Sequence, residues 1–188
     1  MRKFAILAAA LLGVSQAALA DPAATVVSAP CAGCHGTYGD SAGDAPVIAG
    51  QSEMYLVSTM TAYRDGTRYA TIMDRIAKGY DDAQIKAMSG FFAAQTWPKI
   101  TAGSGDAARG QQLHTQLGCL GCHGPTGIAP SPLTPRIAGQ YAGFLAQQMR
   151  DYKDASKPVS PSAMTMRFML GNVSDADIDA LAAFYSAQ

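Results

Sequence analysis

A short cysteine motif occurs twice in this chain and constrains its fold more than any other feature. Both copies have the form C-x-x-C-H-G and together they hold all 4 cysteines: Cys31, Cys34 and His35 in the first copy, and Cys119, Cys122 and His123 in the second. Two thiols at this spacing, followed at once by a histidine, are the signature of covalent haem attachment. The thiols reach the vinyl groups of one porphyrin, and the histidine reaches its iron. The sequence therefore predicts two c-type haems, with the cysteines as attachment residues and His35 and His123 as axial ligands.

Three other uses of paired cysteines fit this pattern less well. Isolated C-x-x-C pairs are poor disulfide scaffolds and would not require the adjoining histidines. A zinc ribbon needs its two cysteine pairs about 15–20 residues apart, which is far closer than the pairs stand here. A thioredoxin-like redox pair is expected in an α/β context, for which the sequence gives no sign. Covalent haem attachment is therefore the interpretation we carry forward.

Other landmarks show that a whole domain is duplicated, because they follow each motif in the same order. The segment I-A-G-Q occurs at 48–51 and again at 137–140. Apolar residues then match between the copies: Leu56, Met60 and Tyr63 with Leu145, Met149 and Tyr152, and Ile85, Met88, Phe91 and Phe92 with Ile178, Leu181, Phe184 and Tyr185. A repeat of this kind predicts two copies of one structural unit. The turn-rich stretch after Trp97 has no counterpart, so we predict domain 1 at 21–97, a linker at 98–105 and domain 2 at 106–188.

Both copies have the patterns of helices. Leu56, Met60 and Tyr63 recur at helical spacing, and Gly66 is a predicted helix stop. Asp81, Asp106 and Ser174 precede helical stretches in the manner of N-cap residues, and no run of alternating strand pattern is present. The predicted fold class is all-α. A unit of this size buries little apolar surface, so we expect a haem to complete each core.

The first residues predict export from the cytoplasm. Arg2 and Lys3 precede an apolar run from Phe4 to Val14, and the A-x-A pattern Ala18–Ala20 follows. This is the plan of a secretory signal peptide at 1–20, and the run is too short for a bilayer, which needs about 18 residues or more. We therefore expect a periplasmic protein that does not span the membrane. A formal net charge of +0 gives no basic face for nucleic acid.

Methionine is the natural candidate for the sixth iron ligand. Two pairs occupy matching places in the repeat: Met60 with Met149, and Met73 with Met166. The first pair shares a helical stripe with core residues, where methionine usually fills space. We favour Met73 and Met166, which we expect in irregular segments where a side chain can turn toward an iron. Met164 is the alternative to Met166, since only one residue separates them.

Three further residues invite interpretation. Pro46 and Pro135 precede the two I-A-G-Q segments, and their carbonyls are candidates to accept the N–H of the proximal histidines. The alternative is that both are simple turn prolines. His114 has no matching histidine in the first copy, and we expect it on the surface of a helix.

The motifs resemble those of a known family. The paired CxxCHG units and paired I-A-G-Q segments are similar to the dihaem class I cytochromes of the cytochrome c4 family. "CAGCHGTYGDSAGDAPVIAG" and "TIMDRIAKGYDD" give the first half a particular likeness to the cytochrome subunit of flavocytochrome c sulfide dehydrogenase. The resemblance implies two tandem class I cytochrome c domains, each wrapped around one covalent haem. It implies Met73 as distal ligand of the first haem and Met166 of the second.

The resemblance leaves two functional hypotheses. The chain is expected to be either the subunit that accepts electrons from a flavoprotein sulfide dehydrogenase, with FAD only on that partner, or a free shuttle delivering electrons to a terminal oxidase or other periplasmic acceptor. In both hypotheses the chain transfers electrons to a downstream cytochrome or oxidase and catalyses nothing by itself. A haem enzyme with an open iron is disfavoured by the matched methionines.

Overall fold

All regular structure that the computed structural model describes, in residues 22–43, 45–101 and 103–188, is helical. The first half contains α1 (Pro22–Ser28), α2 (Ala32–His35), α3 (Glu53–Arg64), α4 (Met73–Ile76) and α5 (Asp82–Ala93). The second half contains α6 (Ala107–Gln116), α7 (Leu120–His123), α8 (Ala142–Lys153), α9 (Met164–Leu170) and α10 (Asp175–Ser186). Short 3-10 turns lie at Ala29–Cys31, Ala77–Gly79 and Pro161–Ala163. The all-α prediction is confirmed, and the predicted signal peptide falls outside the described residues.

The helices pack in the same order in both halves, as the repeat predicts. The first helix of each half packs against the last, α1 on α5 and α6 on α10. The long middle helix packs on that last helix, α3 on α5 and α8 on α10. The short helices α4 and α9 pack on α3 and α8 respectively. Within the described ranges no helix is both long and apolar enough to cross a bilayer.

The capping signals in the sequence mark the true helix starts. At α5, Asp81 Oδ1 accepts from the Gln84 backbone N–H at 2.8 Å, and Gln84 Oε1 accepts from the Asp81 N–H at 3.0 Å. At α10, Ser174 Oγ accepts from the Asp177 N–H at 3.1 Å. Asp106 caps α6 in the same way. These bonds satisfy N–H groups that have no partner inside the helix, so the local sequence alone determines where these helices begin.

A glycine permits the close crossing of α6 and α10. A Cβ atom on Gly110 would lie 2.0 Å from the carbonyl oxygen of Ala180 and 2.6 Å from Cβ of Phe184. Both distances are far inside van der Waals contact, so any larger residue would push the two helices apart. The backbone of α6 therefore rests directly on α10 at this point.

Each half has its own apolar cluster beside its cysteine motif. In the first half Leu56, Met88 and Phe92 form the buried cluster, and Cys31 packs against it. The second cluster is larger and comprises Leu113, Leu145, Ala146, Met149, Tyr152, Leu170, Val173, Ile178, Ala180, Leu181, Ala182, Phe184 and Tyr185. The matched apolar residues of the repeat thus face the same region of their own half.

Arg68 is buried at the boundary between the halves, with 5% of its surface exposed. Its guanidinium carbon lies between 5.2 and 5.8 Å from the ring centroids of Tyr55, Tyr63 and Tyr152. Its two terminal nitrogens donate to Thr59 Oγ1 and, across the boundary, to Gln148 Oε1, both at 3.0 Å. Thr59 and Gln148 hold the same place in the two copies of the repeat. Arg68 therefore joins equivalent faces of α3 and α8.

Candidate haem-binding sites

A tight helical turn presents the thiols and the histidine of each motif. The first motif runs from the 3-10 turn Ala29–Cys31 into α2, and the second occupies α7. Each turn ends at a glycine with positive φ, 79° at Gly36 and 68° at Gly124. Only glycine adopts this conformation without strain, so the chain leaves the turn directly after the histidine. Three residues of separation place the two cysteines of a motif on the same face of the turn.

The four cysteines are free thiols in this structure. In each motif the first cysteine, Cys31 or Cys119, is half-buried and the second, Cys34 or Cys122, is exposed. Burial raises the pKa of the Cys31 and Cys119 thiols, which keeps both protonated at neutral pH. Since no disulfide joins them, all four cysteines remain available for the predicted thioether bonds.

His35 is held in the state that an iron ligand needs. Its ring is buried, and Nδ1 lies 2.8 Å from the carbonyl oxygen of Pro46. A carbonyl only accepts, so the ring proton lies on Nδ1 and the lone pair of Nε2 is free. Burial lowers the pKa of His35, with the Pro46 carbonyl acting in the opposite direction, so the ring is neutral near pH 7. The carbonyl contact that the sequence suggested is therefore present in the first half.

His123 occupies the equivalent place but lacks that bond. Its ring is buried, and Nδ1 has no hydrogen-bond partner among the described residues. Burial lowers the pKa of His123; the backbone of Pro135 opposes this shift, and the nearby His114 adds to it. The Pro135 backbone therefore lies near this ring, but not in the geometry of a hydrogen bond. The two halves differ at this position although their sequences match.

The expected surface position of His114 is wrong. His114 is buried with 3% of its surface exposed, and its Nδ1 lies 2.9 Å from the hydroxyl of Tyr185. Burial lowers the pKa of this histidine, and the Gly124 backbone partly opposes the shift. One signal in the sequence pointed to it: Tyr185 stands where the first copy has Phe92, and a buried tyrosine needs a partner for its hydroxyl.

The matched methionines lie on short helices, so the expectation of irregular segments is wrong. Met73 is the first residue of α4, and Met166 lies within α9; both are half-buried. Met164 begins α9 and is also half-buried. Met60 packs against the first apolar cluster and Met149 belongs to the second, as expected of residues that fill a core.

Several large apolar side chains that neighbour the candidate site residues in sequence are exposed. Ile72 and Ile76 flank Met73, Leu120 stands between the second pair of cysteines, and Phe168 and Met169 follow Met166; the exposed fraction of Phe168 is 77%. The porphyrin macrocycle is largely apolar, so side chains of this kind can pack against it. Each half thus offers two free thiols, a buried neutral imidazole, a thioether and apolar surface, which is a donor set that fits a covalent haem.

The chain belongs to the cytochrome c family, whose model matches it twice, at residues 20–95 and 107–186. With two such domains and two C-x-x-C-H motifs, it carries two covalent c-type haems. Its structure is similar to that of reduced recombinant cytochrome c4 from Pseudomonas stutzeri, with a TM-score of 0.79, 26% identity, and 88% of this chain and 96% of that chain covered. The predicted architecture of two tandem cytochrome c domains is confirmed.

Three curated relatives extend this comparison. Cytochrome c4 of Pseudomonas aeruginosa is 28% identical over 95% of this chain and 94% of its own length. The thiosulfate dehydrogenase electron acceptor of Thiomonas intermedia is 29% identical over 88% of this chain and 82% of its own. The cytochrome subunit of sulfide dehydrogenase of Chlorobaculum tepidum is 39% identical over 67 residues, 36% of this chain and 61% of that protein. The chain is therefore a dihaem electron carrier similar to cytochrome c4.

Proposed function

We propose that this carrier works in the periplasm, accepting electrons from a separate dehydrogenase that oxidises an inorganic sulfur compound. The observation that supports it most is that two relatives with this role match the chain, one over 88% of its length and one over 36%. The basic, apolar and A-x-A segments of residues 1–20 support export. Mass spectrometry of the mature protein should find Asp21 at its N-terminus.

His35 with Met73, and His123 with Met166, are the axial pairs in this proposal. When bound, haem supplies one-electron chemistry between ferric and ferrous iron. The buried, neutral histidines offer Nε2 to the metal without competition from a proton. The thioether of methionine is a soft ligand that favours ferrous iron, so both potentials should lie above those of bis-histidine haems.

Substitution of single methionines tests this ligation. In the oxidised holoprotein, Met73→Ala should remove about half of the weak near-infrared sulfur-to-iron band, because one of two such bonds is lost. Met54→Ala is the control, since the side chain of Met54 is exposed at the start of α3. If the band of Met73→Ala is undiminished, Met73 is not the axial ligand, and Met60 is the next residue to substitute. In the second domain, comparison of Met166→Ala with Met164→Ala identifies which thioether binds.

The donor is either a flavoprotein sulfide dehydrogenase or a thiosulfate dehydrogenase. The sulfide-related match is the stronger in identity, at 39%, but covers about a third of this chain. The thiosulfate-related match spans both domains. The likeness to cytochrome c4 over 95% of the chain supports a second candidate function, a free shuttle that serves a terminal oxidase.

Purification of the native protein separates these functions. Gel filtration followed by flavin and haem absorbance should show a flavin that co-elutes with haem if the chain is a subunit of a sulfide dehydrogenase. A flavin-free haem peak at about 20 kDa would indicate a free carrier. Stopped-flow reduction of that carrier by a thiosulfate dehydrogenase would then support the proposed donor class. Reduction by neither dehydrogenase would overturn it and leave the oxidase shuttle.

A further inference from the structure

One glutamine side chain of each domain extends into the other domain. Gln51 and Gln140 are the last residues of the two I-A-G-Q segments, so they are equivalent in the repeat. Their side chains are buried, with 5% and 3% of the surface exposed. A buried side-chain amide has to satisfy both its oxygen and its nitrogen, and here each amide does so across the domain boundary.

The amide of Gln140 binds the backbone of Val47 in the first domain. Gln140 Oε1 accepts from the Val47 N–H at 3.1 Å, and Gln140 Nε2 donates to the Val47 carbonyl oxygen at 2.9 Å. Oε1 also accepts from the N–H of Tyr141 at 3.0 Å, which fixes the orientation of the amide. Val47 is itself almost fully buried.

The amide of Gln51 makes the same pair of bonds in the opposite direction. Gln51 Oε1 accepts from the Arg136 N–H at 2.9 Å, and Gln51 Nε2 donates to the Arg136 carbonyl oxygen at 3.0 Å. Oε1 also accepts from the N–H of Ser52 at 3.1 Å. Val47 and Arg136 are equivalent, since each directly precedes an I-A-G-Q segment.

One of the Gln140 bonds ends on the peptide group that the proximal histidine of the first domain contacts. The carbonyl of Pro46 and the N–H of Val47 belong to one planar peptide unit. The His35 Nδ1–H donates to that carbonyl at 2.8 Å, while Gln140 Oε1 accepts from the N–H at the other side of the same unit. Hydrogen bonds in such a chain polarise one another, so the glutamine oxygen increases the negative charge on the carbonyl.

We propose that Gln140 tunes the haem of the first domain, acting as a positioning residue through the peptide unit whose carbonyl accepts from the His35 Nδ1–H. His123 makes no such bond, so Gln51 does not act on the second haem in this way. The inference rests on the ligation by His35 proposed above. A more polarised carbonyl strengthens the Nδ1–H bond, makes the imidazole a better donor and favours ferric iron. Loss of Gln140 should therefore raise the reduction potential of the haem in the first domain.

The variant Gln140→Leu tests this inference, and Gln51→Leu is the matched control. Both remove two equivalent bonds from the same boundary, so general loosening would affect them alike. We would titrate the 15N-labelled holoprotein with reductant and follow assigned amide signals of each domain by NMR. Gln140→Leu should change the ferric–ferrous equilibrium of the first haem by about two- to tenfold, the worth of one hydrogen bond. Gln51→Leu should leave the equilibrium of both haems close to the wild-type value, because His123 Nδ1 makes no bond to the peptide unit that Gln51 contacts.

A second readout is the rate at which the Nδ1 proton of His35 exchanges with solvent. In the reduced protein, the Nδ1 proton of His35 should exchange faster with solvent in Gln140→Leu and at the wild-type rate in Gln51→Leu. Gln140→Glu keeps an oxygen that faces the Val47 N–H, so it should return the potential of the first haem toward the wild-type value. It also provides a variant with a polar side chain if leucine at this position prevents folding.

Three results would overturn the inference: a shift of the second haem and not the first in Gln140→Leu, equal shifts of the first haem in Gln140→Leu and Gln51→Leu, or no shift in any folded Gln140 variant. Failure of the underlying ligation gives a different result. In that case the His35 ring signals of the wild-type protein would lack the shifts caused by an adjacent haem, before any glutamine is replaced.

Discussion

The pair of His114 and Tyr185 shows how one residue exchange between the repeats changes a buried site. The first copy has Phe92 where the second has Tyr185, and the added hydroxyl lies 2.9 Å from His114 Nδ1. The other ring nitrogen of His114 is buried with no hydrogen-bond partner in the part of the chain that the structure describes. Protonation of this ring would bury a charge, which is why its pKa is lowered. The second domain therefore contains an acid-sensitive group that the first lacks.

We predict that His114 makes the protein less stable in acid. Its folded pKa lies below the unfolded value of 6.5, so its contribution to stability is complete above pH 6.5 and is lost as the pH falls through the folded pKa. Between pH 7.5 and 5 the free energy of unfolding of the wild type should fall more steeply than that of His114→Gln. The difference in slope should reach at most about 1.4 kcal/mol per pH unit.

Denaturant titrations of both holoproteins at several pH values measure this difference. His35 also has a lowered pKa, but it is present in both proteins, so its contribution cancels in the comparison. His114 adds to the lowering of the His123 pKa, so part of the difference in slope arises at His123. Parallel pH profiles for the wild type and the variant would show that protonation of His114 does not destabilise the folded protein.

At the scale of the helix, the crossing of α6 and α10 depends on the absence of a side chain at Gly110. We predict that Gly110→Ala lowers the free energy of unfolding by about 3 kcal/mol, because the new methyl group would meet the backbone of α10 and overpack the core. Gly143→Ala is the matched control, since no atom lies within 4 Å of the added Cβ in α8. That control should be neutral or stabilising by up to about 1 kcal/mol. Urea titrations followed by far-UV circular dichroism of the holoproteins compare the two, and equal effects would refute the prediction.

Sequence patterns predicted the long helices better than the short ones. Capping residues such as Asp81 and Ser174 bond to backbone groups three positions away, so local sequence is sufficient to predict their role. Helix α4 has four residues, too few for an apolar stripe to repeat, and α9 is apolar on several faces. That explains why Met73 and Met166 were expected in irregular segments. His114 was missed because α6 is largely polar, and the core it faces comes from α10.

At the scale of the whole molecule, Arg68 connects α3 and α8 through aromatic and amide groups. We predict that Arg68→Lys destabilises the protein by about 1–3 kcal/mol, because an ammonium group cannot bond Thr59 and Gln148 at once while lying against the tyrosine rings. Arg64→Lys is the control, since Arg64 bonds Asp65 and Asp82 at the exposed end of the same helix and should matter little. Chemical denaturation of both variants measures the difference. The prediction would be contradicted if Arg68→Lys lowered the free energy of unfolding by no more than Arg64→Lys does.

The repeat predicted two similar domains, but it could not predict how they contact each other. Among the residues that join them, Gln51, Arg68 and Gln140 are polar types that are normally found on the surface. Their partners lie in the other copy, some 80 to 93 positions away in sequence. No local pattern records a pairing over such a distance. The haem motifs, by contrast, need only adjacent residues and were identified directly.

The reciprocal bonds of Gln51 and Gln140 have a consequence for the origin of the interface. Two equal surfaces that exchange the same bonds in both directions form an isologous contact, the kind found in twofold homodimers. The chain thus resembles a twofold homodimer whose two halves are joined in one polypeptide, and the connecting segment raises the local concentration of one half at the other. A protease cut within residues 98–105 of the holoprotein should then leave a non-covalent pair, with one haem on each fragment.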